Sequence, residues 1–206
     1  MPKKLVFATQ NKHKIIEVTD VITKRLYESG NNATQWEILS LSDLGGLYDI
    51  PETALSLEGN ALLKAMYVVD RFGFDCFADD TGLEIDALDG RPGIYSARYA
   101  GENKNFEDNI NKVLKELRGI ENRKARFRTV VALVIKNHVH YFEGIMNGQI
   151  IHSKRGSGGF GYDSVFLPEC YDRTFAEMTL DEKNQVSHRA IAINRLCDFL
   201  NDYRAG

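Results

Sequence analysis

The 206-residue sequence predicts a mixed α/β protein with a single domain, residues 1–206. The chain opens with an apolar run that leads through a tight turn into an amphipathic helix, an order typical of α/β proteins. Further along, a long β-branched stretch reverses direction at a short polar turn, which indicates an antiparallel hairpin. The length suits one domain, or one domain with a lobe, and no internal repeat or clear linker divides it.

The N-terminal part predicts strands and helices in alternation. The strands are "KKLVFAT" and "WEILSL", which are short, apolar and rich in β-branched or aromatic residues. The helices are "NKHKIIEVTDVITKRL" and "EGNALLKAMYVVDRF", whose apolar residues recur at helical spacing, and the second ends near Gly73. We interpret Gly30–Thr34 as a polar turn and Asp43–Glu58 as a loop.

The central part predicts two strands, "DCFA" and "GLEIDAL", on either side of a corner formed by "DDTG", residues 79–82. The glycines and proline of "DGRPGIYSARYAGENK" predict an ordered loop or lid rather than an element of secondary structure. The segment "NFEDNINKVLKEL" predicts an amphipathic helix that stops at Gly119. The hairpin is "ARFRTVVALVIKNHVHYFEGIMNGQII", with its turn at Lys136–His138.

The C-terminal part predicts a glycine loop that runs into a strand, "RGSGGFGYDSVFL", and then one final helix over roughly Glu182–Asp202. Thr179 and Glu182 have the spacing of a capping box, which marks the start of that helix.

The composition excludes several classes of protein. With 43% hydrophobic and 27% charged residues the chain is typical of a globular protein, and a net charge of −3 gives no reason to expect nucleic acid or an anionic membrane as a partner. Cys76, Cys170 and Cys197 are odd in number, far apart and without C-x-x-C spacing, so reduced thiols in the cytoplasm are the better interpretation. The apolar runs near the N-terminus and at Val130–Ile135 are too short for a signal peptide or a membrane span.

The turn after the first strand, Thr9–Lys14, is the first candidate site. Ligands of α/β proteins often bind at such turns, where the next helix offers free N–H groups to an anion and lysines add positive charge. The turn could therefore hold a triphosphate. The alternative is an ordinary strand-to-helix turn capped by Thr9 or Asn11.

A glycine-rich loop, "GSGGFGYD" at residues 156–163, is the second candidate. It contains G-x-G-x-x-G, but a strand follows rather than a helix, which excludes a dinucleotide fingerprint, and the P-loop pattern is also absent from the sequence. Glycines permit close approach of the backbone to a ligand, and Phe160 and Tyr162 could stack on a base. The alternative is a flexible hairpin loop.

The segment "TLDEKNQVSHRA" is the third candidate. Lys183 could contribute charge towards a phosphate, His188 could donate to a keto oxygen, and Arg189 offers a fork of donors. The alternative is the solvated polar face of a terminal helix.

A group of acids forms the fourth candidate. Its members are Glu52, Glu58, Asp79, Asp80, Glu84 and Asp86. Carboxylate oxygens suit Mg²⁺, which usually binds through one or two carboxylates together with substrate phosphates. Gly82 stands where the D-x-D-x-T motif needs its second Asp, so a phosphoenzyme is disfavoured and an acid that activates water beside a metal fits better. The alternative is a solvated turn.

Together these stretches resemble one family, the inosine triphosphate pyrophosphatases, specifically the bacterial dITP/XTP pyrophosphatases. The matching segments run from residue 5 to about residue 190: "FATQNKHK", "IPET" with "GNALLKA", "ADDTGLEIDALDGRPGIYSARYAG", "GSGGFGYD" and "LDEKNQVSHRA". The resemblance implies Mg²⁺-dependent hydrolysis of ITP, dITP and XTP to the monophosphate and pyrophosphate. It also implies an elongated mixed sheet flanked by helices, two lobes around a deep cleft, and a homodimer.

The resemblance also implies roles for individual residues. Asp80 would be the catalytic acid–base residue and a metal ligand, with Glu52 as the second ligand. Residues implied to contact the substrate are Thr9, Gln10, Asn11, Lys12, His13 and Lys14 at the triphosphate, Thr81, Phe160, Gly161, Tyr162 and Asp163 at the base and sugar, and Lys183, His188 and Arg189, of which the last two would read the 6-keto edge.

The sequence departs from the family's pattern at four positions. Gln10 stands where Gly is common, Thr81 replaces Ser, Ser164 replaces Pro, and Gly59 stands where Glu is common. Two alternatives stay open at this point: a pyrophosphatase for another modified nucleotide, and a nucleotide-binding module without catalysis.

Overall fold

The structure is a computed structural model that describes residues 2–28, 36–46 and 50–203. The predicted turn at Gly30–Thr34 and residues 47–49 of the predicted loop lie outside the described residues. The strands are β1 (Lys3–Phe7), β2 (Trp36–Ser40), β3 (Cys76–Ile85), β4 (Pro92–Gly93), β5 (Lys124–Ile135), β6 (His138–Ile150) and β7 (Phe166–Pro168). The α-helices are α1 (Lys12–Ile22), α2 (Leu57–Phe72), α3 (Phe106–Glu116), α4 (Leu180–Val186) and α5 (His188–Asp202). The predicted mixed α/β class is confirmed.

The strands form a mixed sheet in the order β2-β1-β3-β5-β6-β7, with β4 beside β3. β1 is parallel to both β2 and β3, whereas β4 and β7 are antiparallel to the strands they pair with. The predicted hairpin is confirmed, and its turn residues Lys136 and Asn137 have φ of 47° and 63°. Positive φ at both central residues is the geometry of a type I′ turn, one of the two common turns of two-residue hairpins.

The chain divides into two compact units. Unit 1 comprises Met1–Asp80, Thr129–Gly144 and Arg189–Gly206, and unit 2 comprises Thr81–Arg128 and Ile145–His188. Within the described residues, no helix has the length and apolar character needed to cross a membrane. The assignment of residues 1–206 to one domain and the deep cleft stay predictions.

Unit 1 has one hydrophobic core on each face of its strands. On β1, Leu5 and Phe7 pack in a core with residues of α1 and α5, while Val6 and Ala8, which directly follows β1, pack in a second core with residues of α2. The same alternation continues along β3, since Phe77 joins the first core and its two neighbours join the second. Successive side chains of a strand point to opposite faces, so residues 79 and 80 must also separate.

Unit 2 has a single core rich in aromatic rings. Phe127 lies at its centre, with ring centroids 4.6 Å from Phe166 and 4.5 Å from His188. The loop between β4 and α3 is held on this core by Asn109, whose side chain accepts from the N–H of Ala100 and donates to the carbonyl of Ala97. The predicted segment is ordered, but it is not wholly a loop, because β4 and a short 3₁₀-helix at Ser96–Arg98 lie within it.

The prediction of two strands around a "DDTG" corner is wrong. β3 runs without interruption from Cys76 to Ile85 and includes both carboxylates. The alternation of the strand sends the two charges to opposite faces, where each meets its own cations, so a turn is not needed to separate them. Glycine at position 82 lets β3 lie close to β4, because a Cβ there would be 2.8 Å from the carbonyl oxygen of Gly93.

The prediction of one C-terminal helix is also wrong. α4 begins at the predicted capping box of Thr179 and Glu182, but Ser187 adopts an extended conformation with φ −69° and ψ 152° and separates α4 from α5. The side chains of His188 and Arg189 therefore leave the chain at the first turn of α5, not in the middle of a long helix.

Candidate active site

The turn that precedes α1 has a side-chain cap. Asn11 Oδ1 accepts hydrogen bonds from the backbone N–H groups of His13 (3.0 Å) and Lys14 (3.3 Å). Thr9 Oγ1 accepts from the N–H of Asn11 at 3.3 Å. Lys12 and His13 are exposed, as is Gln10. The turn thus has the capped geometry considered as the alternative, and it still presents basic side chains to solvent.

Asp79 is a buried anion held by two cations of unit 1. Its Oδ2 lies 2.9 Å from Lys14 Nζ on α1 and 3.2 Å from Arg189 Nε on α5. The second arm of the guanidinium reaches Glu17 Oε2 at 2.5 Å. Burial opposes ionisation of Asp79, but attraction to Lys14, Arg189 and Lys64 outweighs burial and holds the pKa of this carboxyl well below its usual range.

Asp80 lies on the other face of β3, against α2. Its Oδ1 is 2.9 Å from Lys64 Nζ, and its Oδ2 accepts from Asn60 Nδ2 at 3.3 Å. Glu52 Oε1 is 2.8 Å from the same Lys64 Nζ. The ammonium group of Lys64 therefore brings the two predicted metal ligands together. Burial opposes the charge of Lys64, but Asp80 and Glu52 outweigh it, and the pKa of Lys64 is raised.

The donor set around Lys64 fits a divalent cation. Two carboxylates face one ammonium, so the group of three carries one excess negative charge. Across the part of the chain that the structure describes, no three or more His, Cys, Asp or Glu side chains are grouped to hold a metal. Mg²⁺ usually takes only one or two carboxylates and completes its shell with waters and substrate phosphates. Asp80 and Glu52 supply that number of ligands.

Lys183 lies among aromatic rings of unit 2. Its Nζ is 2.5 Å from Asp163 Oδ2, and it stands 5.1 Å from the ring centre of Phe160 and 5.3 Å from that of Phe175. The side chain is almost fully buried, unlike the solvated residue of the alternative interpretation. Lys183 is thus paired with one carboxylate and packed against two aromatic rings.

His188 and Tyr162 are also buried in unit 2. The imidazole of His188 stacks on Phe127 with an angle of 15° between the ring planes. The hydroxyl of Tyr162 donates to the carbonyl oxygen of Ser96 at 2.9 Å, and burial raises the pKa of this tyrosine. Tyr162 therefore holds the loop after β4 in place, while Phe160 is the more accessible aromatic residue of the glycine-rich loop.

The remaining predicted residues take separate positions. Thr81 is half-buried on β3 directly after Asp80, and Gly161 has a φ of 60°, which favours glycine. Of the other candidate acids, Glu84 pairs with Arg126 at 2.6 Å, Glu58 lies in the first turn of α2, and Asp86 begins a short 3₁₀-helix.

Three residues of these clusters, Glu17, Asn60 and Lys64, were missed by reasoning from the sequence. All three are buried on helix faces that are otherwise apolar. Asn60 and Lys64 stand four residues apart on the same stripe of α2 as Ala61 and Val68. A polar residue on the buried stripe of an amphipathic helix is uncommon, and that pattern could have indicated them.

Known proteins resemble this chain over nearly its whole length. The model of the Ham1 family matches residues 5–199. The dITP/XTP pyrophosphatase of Flavobacterium johnsoniae is 50% identical over 197 residues, which are 96% of this chain and 97% of that protein. The dITP/XTP pyrophosphatase of Bacillus subtilis is 43% identical over 201 residues, again 96% of this chain and 97% of that protein.

Solved structures agree with this match. The Staphylococcus aureus Ham1 protein has a TM-score of 0.84 at 36% identity, and the comparison covers 98% of this chain and 100% of that one. A nucleoside-triphosphatase, named also as a dITP/XTP pyrophosphatase, from Mycobacterium abscessus has a TM-score of 0.72 at 38% identity and covers 94% of this chain and 98% of its own. The chain belongs to the Ham1 family.

Proposed function

We propose that this chain hydrolyses purine nucleoside triphosphates with deaminated bases, namely ITP, dITP and XTP, to the monophosphate and pyrophosphate. Relatives that are 50% identical over 96% of the chain are named for this activity on dITP and XTP. The observation that carries the proposal within the structure is the convergence of Asp80 and Glu52 on one ammonium group, beside a buried strand. Two carboxylates with an excess negative charge suit a metal-assisted reaction at phosphorus and would only weaken a pure phosphate binder.

Mg²⁺ is the metal that this donor set favours, with Asp80 and Glu52 as its ligands. Hard carboxylate oxygens select hard divalent cations. When bound, Mg²⁺ neutralises charge on the phosphate oxygens. Lys64 supports both carboxylates from the side of α2, and Asn60 fixes the second oxygen of Asp80. The side chains of α2 therefore orient the ligands.

Asp80 is the acid–base residue in this proposal. It accepts a proton from a water molecule whose oxygen forms a bond to the α-phosphorus, while the bond from that phosphorus to the bridging oxygen breaks and pyrophosphate leaves. Lys12 and Lys14 stabilise the negative charge of the phosphate groups. Because Asn11 already caps the N–H groups of His13 and Lys14, we assign phosphate binding at this turn chiefly to the lysine side chains.

Selectivity for the base is assigned to donors from His188, Arg189 and Lys183. Adenine carries an amino group where hypoxanthine and xanthine carry a keto oxygen, so it presents these residues with a donor in place of an acceptor. A buried donor that faces another donor forms no hydrogen bond and is costly, which disfavours ATP. The stacking of His188 on Phe127 supports this role, because it fixes the plane of the imidazole.

The homodimer and the cytoplasmic location are parts of the same proposal. The exposed thiol of Cys170 supports a reducing compartment, where exposed thiols persist. Sedimentation of the purified chain tests the dimer, since a monomer at micromolar concentration would contradict it.

The test of the proposed function is release of pyrophosphate from ITP with and without Mg²⁺, in the wild-type chain and in Asp80→Asn. We expect Asp80→Asn to lower kcat by about 100-fold or more, as expected when a general base is removed. Asp70→Asn, an exposed residue of α2, is the matched control and should keep full activity. Turnover of ITP near the wild-type rate by a folded Asp80→Asn variant would contradict the mechanism.

A substrate panel separates the alternatives. Preferred turnover of a modified pyrimidine triphosphate would identify a pyrophosphatase for another nucleotide. Binding of ITP without release of pyrophosphate under any metal condition would identify a binding module.

A further inference from the structure

One carboxylate oxygen of Asp163 contacts Lys183, which the proposed function assigns to the base, and the backbone of Phe160, which the family resemblance places at the base. Asp163 Oδ2 accepts from the backbone N–H of Phe160 at 2.8 Å and from Lys183 Nζ at 2.5 Å. The residue is 4% exposed, so these bonds form away from water. A single oxygen thus links the glycine-rich loop to α4.

This carboxylate pairs with the ammonium group of Lys183. Its ammonium group is buried against the faces of Phe160 and Phe175, which attract a cation but do not neutralise it. A buried charge is strongly unfavourable unless it is paired and hydrogen-bonded. Asp163 supplies the pairing charge. The position of its carboxylate determines where the ammonium group of Lys183 lies relative to the ring of Phe160.

The glycine-rich loop is shaped to admit the carboxylate. Gly159 has a φ of 69°, and a Cβ at this position would collide with Asp163 Oδ2 and lie 2.9 Å from its Cγ. Only glycine therefore lets the carboxylate lie against the backbone and reach the N–H of Phe160. Gly159 therefore makes room for a contact within the protein. Glycines of glycine-rich motifs often make room for a phosphate group instead.

We propose that Asp163 is a positioning residue of the base site, which fixes the backbone of Phe160 and the ammonium group of Lys183 at the same time and does not itself read the nucleotide. The inference rests on the proposed function and deepens it. Lys183 and Asp163 form a neutral pair, so Lys183 can donate to the keto oxygen of an uncharged base without a net charge being buried. Phe160 is held at its backbone, and the ammonium group of Lys183 lies over its ring, which restricts the orientation of that ring.

The experiment compares Asp163→Asn, Lys183→Met and the double variant in the full-length chain. Binding of inosine monophosphate is measured by calorimetry, and KM and kcat are measured with ITP. Loss of a charged hydrogen bond should weaken binding of inosine monophosphate by about tenfold or more in each single variant. KM should rise with kcat within about threefold, because the reacting phosphorus is served by other residues.

The double variant carries the decisive comparison. If Asp163 acts through Lys183, removing it from Lys183→Met should weaken binding by no more than about threefold, since coupled residues are not additive. Asp163→Ser, whose side chain is smaller and uncharged, is a second single variant. It should also weaken binding of inosine monophosphate by about tenfold or more. Asp108→Asn, an exposed carboxylate at the start of α3 in the same unit, is the matched control and should bind as the wild type does.

Two results would overturn the inference. Multiplicative losses in the double variant would mean that Asp163 does not act through Lys183. Unchanged binding in Asp163→Asn, with the thermal midpoint of unfolding close to that of the wild type, would mean that it positions nothing. If the wild-type chain binds inosine monophosphate but hydrolyses none of the triphosphates, the proposed function fails while the coupling between Asp163 and Lys183 is still measured.

Discussion

Asp79 and Asp80 are neighbours in the sequence, but they belong to different charge clusters because they lie on opposite faces of β3. Asp79 and Glu17 face Lys14 and Arg189, so that cluster is neutral. Asp80 and Glu52 share one lysine, so theirs is not. The neutral cluster is suited to joining α1, β3 and α5, and the cluster with an excess negative charge is suited to binding a cation.

This difference predicts that two conservative substitutions affect stability and activity differently. Asp79→Asn leaves Lys14 and Arg189 buried beside one remaining carboxylate, and should lower the free energy of unfolding by about 3–5 kcal/mol, the usual cost of breaking a buried pair. Asp80→Asn keeps Glu52 as a partner for Lys64 and should cost less stability while it removes activity. Urea denaturation of both variants measures the difference. A larger loss of stability in Asp80→Asn would contradict the division into two clusters.

The lowered pKa of Asp79 also predicts a dependence of stability on pH. A carboxyl whose pKa is lower in the folded than in the unfolded chain contributes stability above its unfolded pKa, and this is lost as the pH falls through the folded pKa. The free energy of unfolding should therefore fall as the pH is lowered below about 4, the ordinary value for Asp. Urea denaturation between about pH 5 and pH 3 should show a shallower fall in Asp79→Asn. Equal slopes in both proteins would mean that Asp79 is not the titrating group.

At the scale of elements, the short helix α4 determines where Lys183 stands. It has only seven residues, too few to be stable without tertiary contacts and capping. Thr179 Oγ1 accepts from the N–H of Glu182, and the carboxylate of Glu182 accepts from the N–H of Thr179 at 2.8 Å. Ser187 then ends the helix, with its N–H bonded to the carbonyl of Lys183 at 2.8 Å.

Removal of the cap should therefore be measurable. Thr179→Ala is expected to lower the free energy of unfolding by about 1 kcal/mol, the usual value of an N-cap. Thr179→Ser keeps the hydroxyl and is the matched control, with an expected loss close to zero. Chemical denaturation of the two variants under the same conditions tests this. Equal stability of the alanine and serine variants would show that the capping hydrogen bond contributes nothing to α4.

At the scale of the whole molecule, the sequence was informative where local pattern and local chemistry agree. The period of the apolar residues located α1 and α2, and the turn at Lys136–His138 located the hairpin. It was misleading at residues 79–82, because two adjacent charges suggest a turn unless their partners on α1, α2 and α5 are known. Those partners are distant in sequence, so no local pattern contains them.

The sequence likewise predicted only part of the candidate site. Asp80, Glu52, Lys14 and Arg189 were all singled out, but which acid pairs with which cation depends on the packing of helices against β3. The residue that joins Glu52 to Asp80, Lys64, could be suspected only as a polar residue on a buried stripe. The break at Ser187 had no local signal either, because serine is compatible with both a helix and its end.

The continuity of three strands predicts how the two units unfold. β3, β5 and β6 each contribute residues to both units. If one unit unfolded alone, each of these strands would lose the pairing of the part that belongs to that unit. Unfolding in urea should then be one cooperative transition.

Trp36 is the only tryptophan in the sequence. It is buried in unit 1 and donates to the carbonyl of Leu200 at 3.3 Å, so its fluorescence reports on unit 1 alone. Far-ultraviolet circular dichroism reports on both units, and its midpoint should coincide with that of Trp36. A fluorescence midpoint clearly separate from that of the dichroism would show that the units unfold independently.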